Sequence, residues 1–248
     1  MDKLFIIIPA FNESANIELT VLQWHSVAVK YGSEASKLVI VNDGSTDDTL
    51  SKLCKLKKSY SRLVVLNKKN GGHGSAVLHG YRYAIKNKAD YIFQTDSDGQ
   101  TLPSEFGKFW ARRNRCDAVI GRRLKRGDGF SRKIVEDVVC LILFVIFGIK
   151  VRDANAPFRL MKTELVDKYI RRLPKNYNIP NIMFTTFFVY YGESVEFLPI
   201  TFKPRRGGKN KLNYKKIAVI GARALSDFAG FRKDMKNHGG KRYADANV

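Results

Sequence analysis

The chain has 248 residues, of which 44% are hydrophobic, so it is long enough to form one large domain with a substantial core. Its formal net charge of +21 indicates an anionic partner, such as nucleic acid, an anionic membrane or a phosphorylated substrate. The three cysteines include no Cys-x-x-Cys pair, which argues against a disulfide framework and a zinc site. The longest apolar run, Val138 to Ile149, is shorter than the ~20 residues that a membrane-spanning helix needs.

The first half of the chain alternates between short apolar runs and longer stretches of helical periodicity. The apolar runs predict buried strands at Leu4 to Ile8, Lys37 to Val41, Leu63 to Leu66, Tyr91 to Gln94 and Ala118 to Gly121. The stretches between them predict helices at Ala15 to Tyr31, Asp48 to Ser59 and about Asn70 to Asn87. This alternation predicts an α/β fold with a doubly wound, mainly parallel sheet.

The second half of the chain is less regular and predicts a helical C-terminal region. The expected elements are helices at Lys133 to Phe147, Thr163 to Leu173 and Tyr214 to Phe231, a strand at Val195 to Phe202, and a basic loop at Lys203 to Lys211. We expect a single domain at residues 1–232, followed by a polar and disordered tail at residues 233–248.

Polar or glycine-rich clusters follow the first four predicted strands. The clusters are Asn12-Glu13, Asp43, a glycine loop at residues 70–76, and Asp96-Ser97-Asp98. Because ligands bind at the carboxyl ends of the strands in such sheets, we expect these clusters to form one site.

The segment from Asp96 to Gln100 is a candidate metal site. Two carboxylates one residue apart at a strand end can hold a divalent cation, with substrate phosphates completing its coordination shell. Gln100 would add a third oxygen. Taken alone, this segment is also typical of a polar turn. Because this segment is expected to lie beside the other three clusters at one edge of the sheet, we favour a metal site over a simple polar turn.

The glycine loop does not match a dinucleotide-binding fingerprint, because Val77 stands where the third glycine would be required. Backbone N–H groups at the start of the following helix can still bind a phosphate. His73 within the loop is more typical of a capping residue than of a ligand contact.

The same clusters carry a resemblance to glycosyltransferase family 2, and within it to the dolichyl- or polyprenyl-phosphate sugar synthases, such as dolichyl-phosphate mannose synthase. The matching stretches are Ile8 to Glu13, Val41 to Asp47, Asn70 to Ala76 and Asp96 to Gln100. The basic loop resembles that of the synthases except that Asn210 replaces a serine. The resemblance implies a glycosyltransferase A-type (Rossmann-like) fold, with a nucleotide-sugar half at about 1–121 and an acceptor half at about 122–232.

The resemblance also implies roles for individual residues. Those implied to bind the nucleotide sugar are Pro9, Phe11, Asn12, Glu13, Asp43, Gly72, Gly74, Asp96, Ser97 and Lys211. Those implied to hold Mg²⁺ or Mn²⁺ are Asp96, Asp98 and Gln100. The catalytic set is Asp96, Asp98, Arg122 and Arg205, and the acceptor-phosphate set is Arg122, Arg132 and Arg205.

The kind of acceptor is predicted from the absence of a residue that could act as general base. A sugar hydroxyl must lose a proton as it attacks, yet the stretch from Lys168 to Gly192 contains no acidic residue. A phosphate monoester is already anionic near neutral pH and needs no base. We therefore expect a polyprenyl or dolichyl phosphate as the acceptor. The family resemblance implies that a hexose is transferred to it with inversion, from a donor of the GDP-mannose or UDP-glucose type.

Two alternatives remain open. One is transfer to a sugar or other hydroxyl acceptor in cell-envelope polysaccharide synthesis. The other is a basic nucleic-acid-binding module, which is disfavoured because acids cluster at the ligand edge and no such binding motif is visible. Nucleic acid is therefore not an expected partner.

The apolar helix from Val138 to Ile149 and its basic flank predict peripheral binding to an anionic membrane at its cytoplasmic face. The flanking basic residues are Arg122, Arg123, Lys125, Arg126, Arg132 and Lys133. A separate membrane protein remains open as a further partner.

Overall fold

A computed structural model describes residues 1–126, 130–204 and 214–237, without the side chains of residues 125–132 and 214–223. The strands are β1 (Leu4–Ala10), β2 (Lys37–Asn42), β3 (Leu63–Asn67), β4 (Tyr91–Gln94), β5 (Ala118–Arg126), β6 (Arg159–Lys162) and β7 (Val195–Phe202). The helices are α1 (Ile17–Tyr31), α2 (Thr49–Leu56), α3 (His73–Lys86), α4 (Phe106–Trp110), α5 (Phe130–Phe147), α6 (Thr163–Ile170), α7 (Pro180–Tyr190) and α8 (Tyr214–Asn237). A 3₁₀ turn at Pro103–Glu105 precedes α4.

The strands form one seven-stranded sheet in the order β3-β2-β1-β4-β6-β5-β7. Strand β6 runs antiparallel to both of its neighbours, β4 and β5, while the other pairs are parallel. The predicted mainly parallel, doubly wound α/β sheet is therefore confirmed.

Both faces of the sheet are covered, as the interior strand β1 shows by being buried along its whole length. Phe5 and Ile7 belong to a core formed with α3, α6 and α7, while Ile6 and Ile8 belong to a second core with α1 and α4. Successive side chains of a strand point to opposite faces, so a continuous apolar run is what a strand between two helical layers requires.

In the second half one strand was missed and one expectation was wrong. No strand was predicted at Arg159 to Lys162, which forms β6, a short strand that begins with a fully buried arginine and gives little apolar signal. The last helix continues to Asn237, so residues 233–237 are helical and do not belong to a disordered tail. The rest of that tail, residues 238–248, lies outside the described residues.

Within the described part of the chain, no helix combines the length and apolar character needed to cross a membrane.

Candidate functional site

A cavity of about 540 Å³ opens at the carboxyl ends of β1, β2 and β4. From the first half of the chain it is lined by Pro9, Ala10, Phe11, Glu13, Asp43, Asn70, Gly72, His73, Ala76, Asp96, Ser97, Asp98 and Gln100. From the second half it is lined by Arg123, Asn155, Pro157, Asn178, Ile179, Pro180, Asn181 and Phe202. The structure thus brings together the four clusters that the sequence analysis placed at one edge of the sheet.

The segment after β4 is held in place by hydrogen bonds to β1 and α1. The Ser97 hydroxyl is buried and donates to the Pro9 carbonyl oxygen at 3.0 Å, while the Thr20 hydroxyl donates to the Ser97 carbonyl oxygen at 3.1 Å. Gln94 Nε2 donates to Asp96 Oδ1 at 3.3 Å. Ser97 therefore acts as an anchor, and the carboxylates on either side of it line the cavity.

The carboxylates of Asp96 and Asp98 suit a hard divalent cation, because such ions prefer oxygen ligands. Among the described residues, no group of three or more histidine, cysteine or acidic side chains could hold a metal by itself. A cation at this position would therefore need phosphate oxygens of a bound substrate to complete its shell, which is the usual arrangement for Mg²⁺.

Gln100 has a structural partner in addition to its position in the cavity. Its side chain is buried, and Nε2 donates to the Lys203 carbonyl oxygen at 2.9 Å. The Lys203 backbone N–H donates to the Gln100 carbonyl oxygen at 2.8 Å. Gln100 thus ties the segment after β4 to the residue that follows β7, and only its Oε1 remains suited to a cation.

Asp43 organises the glycine loop. Its Oδ1 accepts hydrogen bonds from Lys68 Nζ at 2.5 Å and from the Gly71 N–H at 3.0 Å, while Oδ2 accepts one from the Gly72 N–H at 2.7 Å. Asp43 is buried but also lines the cavity. Its first role is therefore to shape the loop, and any contact with a ligand comes in addition.

The two loop glycines selected from the sequence have different roles. Gly72 lines the cavity with φ of 87°, a left-handed conformation that favours glycine. Gly74 is not among the lining residues, and a Cβ atom there would lie 2.2 Å from the Tyr177 carbonyl oxygen and 2.4 Å from that of Asn178. Gly74 therefore allows close packing of two backbone segments, and it is not positioned to bind the nucleotide sugar.

At the end of β1, two predicted binding residues line the cavity and a third does not. Phe11 is half-exposed and Glu13 is buried, and both contribute to the wall. Asn12, with φ of 54°, is not among the lining residues. Its Oδ1 accepts a hydrogen bond from the Thr46 N–H at 2.8 Å, and its own N–H donates to the Ser45 hydroxyl at 3.0 Å. Asn12 thus joins the loops after β1 and β2.

Arg123, and not the predicted Arg122, lines the cavity from β5. Adjacent strand residues point to opposite faces, so the two side chains cannot share one site. Arg122 Nε is buried and has no hydrogen-bond partner within the described ranges. From the sequence, Arg123 was expected only in the basic flank, because nothing in a run of arginines indicates which one faces the ligand edge.

Arg123 belongs to a buried ion-pair cluster. Its Nε and Nη2 donate to the two carboxylate oxygens of Asp153 at 2.8 and 2.7 Å, and Nη2 lies 3.6 Å from Glu136 Oε2. Burial alone would raise the pKa of Asp153, but the hydrogen bonds and charge of Arg123 outweigh this and hold that pKa below its ordinary value. The Arg123 guanidinium also lies 5.2 Å from the centre of the Phe202 ring. The cluster fixes one wall of the cavity.

Three of the predicted site residues cannot be placed. Arg205 and Lys211 lie outside the described residues, and so does the side chain of Arg132 on α5.

A family model described as "Glycosyl transferase family 2" matches residues 5–188. The chain belongs to this glycosyltransferase family. The predicted family resemblance is therefore confirmed, and the matched range contains every described residue that lines the cavity except Phe202.

Curated relatives of this chain include the CsbB protein of Bacillus subtilis, which is 28% identical over 170 residues, 67% of this chain and 50% of CsbB. The undecaprenyl-phosphate 4-deoxy-4-formamido-L-arabinose transferase of Proteus mirabilis is 24% identical over 191 residues, 75% of this chain and 57% of that protein. The chain thus spans little more than half the length of these relatives.

Solved structures with a similar fold include a glucosyl-3-phosphoglycerate synthase from Mycobacterium tuberculosis in complex with Mn²⁺, UDP-glucose and phosphoglyceric acid. Its TM-score is 0.67 at 17% identity, covering 93% of this chain and 79% of the synthase. The mannosyltransferase PcManGT from Pyrobaculum calidifontis, in complex with GDP-Man and Mn²⁺, has a TM-score of 0.62 at 16% identity. That match covers 98% of this chain and 66% of the mannosyltransferase. The predicted glycosyltransferase A-type fold is therefore confirmed.

Replacement of Gly74 by alanine tests the close packing beneath the glycine loop. The added Cβ atom meets backbone and not a flexible side chain, so we expect Gly74→Ala to reduce the free energy of unfolding by about 1–3 kcal/mol. The matched control is Gly230→Ala in α8, where a Cβ atom meets nothing within 4 Å. Urea unfolding of both variants checks this, and equal stability of the two proteins would contradict the packing role of Gly74.

Proposed function

We propose that this glycosyltransferase moves a hexose from a nucleoside-diphosphate sugar to a lipid phosphate of the polyprenyl or dolichyl type, with inversion at the anomeric carbon. The observation that carries the proposal is the distribution of charge around the cavity. Its carboxylates, Glu13, Asp43, Asp96 and Asp98, all come from the first half of the chain. The described lining residues of the second half include no carboxylate and no histidine.

This distribution favours an acceptor that needs no deprotonation. Transfer to a sugar hydroxyl requires a base on the acceptor side, and the described wall offers Arg123 and neutral amides there. A lipid phosphate brings its own negative charge, since the second pKa of a phosphate monoester is about 6. Its oxygen attacks the anomeric carbon, and the nucleoside diphosphate leaves with the electron pair of the broken carbon–oxygen bond. No proton has to move.

The donor and the cation are proposed from chemistry and from the relatives together. Two fold neighbours have solved structures in complex with Mn²⁺ and a nucleotide sugar, one with UDP-glucose and the other with GDP-Man. A curated relative is named as an undecaprenyl-phosphate transferase. In this chain Asp96 and Asp98 would hold Mg²⁺ or Mn²⁺, with the Gln100 oxygen as a third candidate. Such a cation supplies positive charge that stabilises the diphosphate leaving group.

An exposed apolar face on α5 supports approach to a membrane. Its large exposed side chains are Ile134, Val135, Val138, Leu141, Phe144 and Val145. The opposite side of α5 packs into the core through Leu143 and Phe147. A concentrated exposed apolar surface is typical of a protein or membrane contact, and the net charge of +21 favours an anionic lipid surface. We propose peripheral binding through this face.

Two residues assigned to the membrane contact from the sequence do not belong there. Phe147 is 3% exposed, so a charge at that position would test the core and not the surface. Arg123 lines the cavity and is paired with Asp153, so it does not belong to the exposed surface that would meet the membrane. Of the basic flank, Lys133 is exposed, although it pairs with Asp137 at 3.2 Å. Arg132 and Arg205 stay proposed contacts for the acceptor phosphate, and Arg123 takes the place of Arg122.

A second candidate function rests on His73. Its Nε2 lies 3.8 Å from Asp96 Oδ1, and a histidine oriented by a carboxylate is a suitable general base. This pair would allow transfer to a sugar or other hydroxyl acceptor. Both members of this pair come from the nucleotide half of the chain, and Asp96 is itself a candidate metal ligand.

The acceptor is tested with radiolabelled UDP- and GDP-sugars, incubated with undecaprenyl or dolichyl phosphate or with soluble sugars. We expect label in the lipid extract, with only a small loss of rate in His73→Gln. The hydroxyl alternative predicts label on a soluble sugar and a loss of about 10²–10⁴-fold in that variant, as for removal of a general base. That second result would overturn the lipid-phosphate proposal.

Asp98→Asn tests the candidate metal site. We expect Mn²⁺ binding in the presence of nucleoside diphosphate to weaken by at least about tenfold, and the transfer rate to fall by on the order of 100-fold. The control is Asp167→Asn, which removes a partly exposed carboxylate on α6 that is paired with Arg171. Full activity of the parent protein in EDTA, or normal Mn²⁺ binding by Asp98→Asn, would exclude the site.

Phe144→Glu tests the proposed membrane face. We expect the parent protein to co-sediment with vesicles that contain phosphatidylglycerol at low salt. The variant should bind at least about tenfold more weakly, because a charge replaces an apolar side chain that would insert into the membrane surface. Leu22→Glu on α1 is the matched control, because Leu22 is 50% exposed and Phe144 is 46% exposed. Equal binding of the two variants, or no binding by the parent protein, would contradict the proposal.

A further inference from the structure

The carboxyl end of β7 lies at an edge of the sheet. β7 is the last strand in the sheet order, so one side of its backbone has no neighbouring strand in the described sheet. An edge of this kind presents backbone N–H and C=O groups that no strand can pair. Here these groups belong to Pro199, Thr201 and Lys203, which are spaced two residues apart and therefore face the same side.

Side chains from the segment after β4 bind this edge. Lys108 Nζ donates to the Pro199 carbonyl oxygen, and the Thr201 N–H donates to Glu105 Oε2 at 3.0 Å. The third contact, to Lys203, comes from the same segment. We call the three side chains that bind the end of β7 the edge contacts, and they are Gln100, Glu105 and Lys108.

Gln100 is the edge contact that also lines the cavity. Its side chain is buried, and it exchanges two well-formed hydrogen bonds with Lys203, at 2.9 Å from Nε2 and at 2.8 Å to its carbonyl oxygen. Its own backbone N–H donates to Asp98 Oδ1 at 3.1 Å. One residue therefore fixes the end of β7 relative to a candidate metal ligand.

The last residue of β7 belongs to the acceptor-half wall of the cavity. Phe202 directly precedes Lys203 and lines the cavity beside Arg123. The Arg123 guanidinium lies 5.2 Å from the centre of the Phe202 ring and is bound to Asp153 on its other side. The position of this wall therefore depends on where the end of β7 is held.

We propose that Gln100 is a positioning residue for the acceptor, which it serves by holding the wall formed by Phe202 and Arg123. This inference rests on the proposed function, in which Arg123 contacts the acceptor phosphate. The family resemblance implied only a metal-binding role for Gln100. The two ends of its amide have separate roles, because Nε2 holds Lys203 while Oε1 is suited to a cation.

An amide is the side chain that can fill both roles. It carries one acceptor oxygen and one donor nitrogen on the same carbon, whereas an ionised carboxylate of the same shape only accepts. A carboxylate at position 100 would keep an oxygen for a cation, but it would set a second oxygen against the Lys203 carbonyl oxygen. The two roles of Gln100 can therefore be separated by exchanging its nitrogen for oxygen.

Gln100→Glu makes this exchange and tests the inference. In calorimetry with UDP or GDP present, we expect the affinity for Mn²⁺ to be kept or increased, since carboxylate oxygens suit such cations. In the transfer assay we expect KM for undecaprenyl phosphate to rise by about five- to tenfold, as the loss of one hydrogen bond implies. KM for the nucleotide sugar should stay unchanged.

Glu105→Ala provides a second variant, at a position that does not line the cavity. It removes the acceptor of the Thr201 N–H, so we expect KM for the acceptor to rise while Mn²⁺ affinity stays unchanged. The matched control is Glu105→Gln, which keeps an acceptor oxygen for that N–H and should behave as the parent protein does. This pair decides the matter if Gln100→Glu does not fold.

The outcomes separate this inference from the proposed function. An acceptor KM equal to that of the parent protein in Gln100→Glu, or an equal loss of Mn²⁺ and acceptor affinity, overturns the positioning role alone. If the parent protein labels no lipid phosphate, the proposed acceptor is wrong, and the same comparison is made with the soluble sugar that takes the label. Hydrogen exchange of the Lys203 amide needs no substrate, and an exchange rate that Gln100→Glu leaves unchanged overturns the inference in either case.

Discussion

The acceptor half of the cavity depends on a guanidinium group with no exposed surface. Arg159 lies on β6, the strand that runs antiparallel to its neighbours, and its bonds go to the carbonyl oxygens of Ala154, Ala156 and Asn181 and to the Thr185 hydroxyl. Burial lowers the pKa of Arg159, yet arginine remains charged in proteins. The guanidinium therefore fixes the carbonyl groups that converge on it. The backbone segments that carry these groups are the stretch after Asp153 and the first turn of α7, which line the acceptor half of the cavity.

The two halves of the cavity are built on different physical principles. In the donor half, parallel strands deliver short polar loops to one edge, and each loop is fixed by hydrogen bonds within a few residues or to the adjacent loop, as for Asp43 with Gly71 and Gly72. In the acceptor half, positions are set by long-range contacts with buried charges, such as Arg123 with Asp153 and Arg159 with α7. The first half relies on local turns, and the second relies on tertiary packing.

This difference explains why the donor half could be predicted from the sequence and much of the acceptor half could not. The parallel strands and the convergence of Glu13, Asp43, Asp96 and Asp98 follow from periodicity and from the rule that ligands bind at strand ends. The family motifs also lie in this half. The short strand β6 was missed because an arginine opens it, and strand patterns depend on apolar alternation.

Individual side-chain directions in the acceptor half could not be obtained from the sequence. Choosing between Arg122 and Arg123 requires the register of β5 against β7, in which Arg122 lies opposite Pro199 and Arg123 opposite Ile200. The burial of Asn181, whose Oδ1 has no hydrogen-bond partner among the described residues, depends on tertiary packing around the start of α7. Gly74 was selected because it belongs to a family motif. The structural reason for a glycine there is the close approach of the backbone of Tyr177 and Asn178, which are distant in sequence.

That contact at Gly74 also limits how the protein can move. The start of α3 touches the backbone of Tyr177 and Asn178 so closely that no side-chain atom fits between them. A hinge requires residues that can change their backbone angles without meeting resistance from packed neighbours. We therefore expect the glycine loop and the segment leading into α7 to shift as one unit.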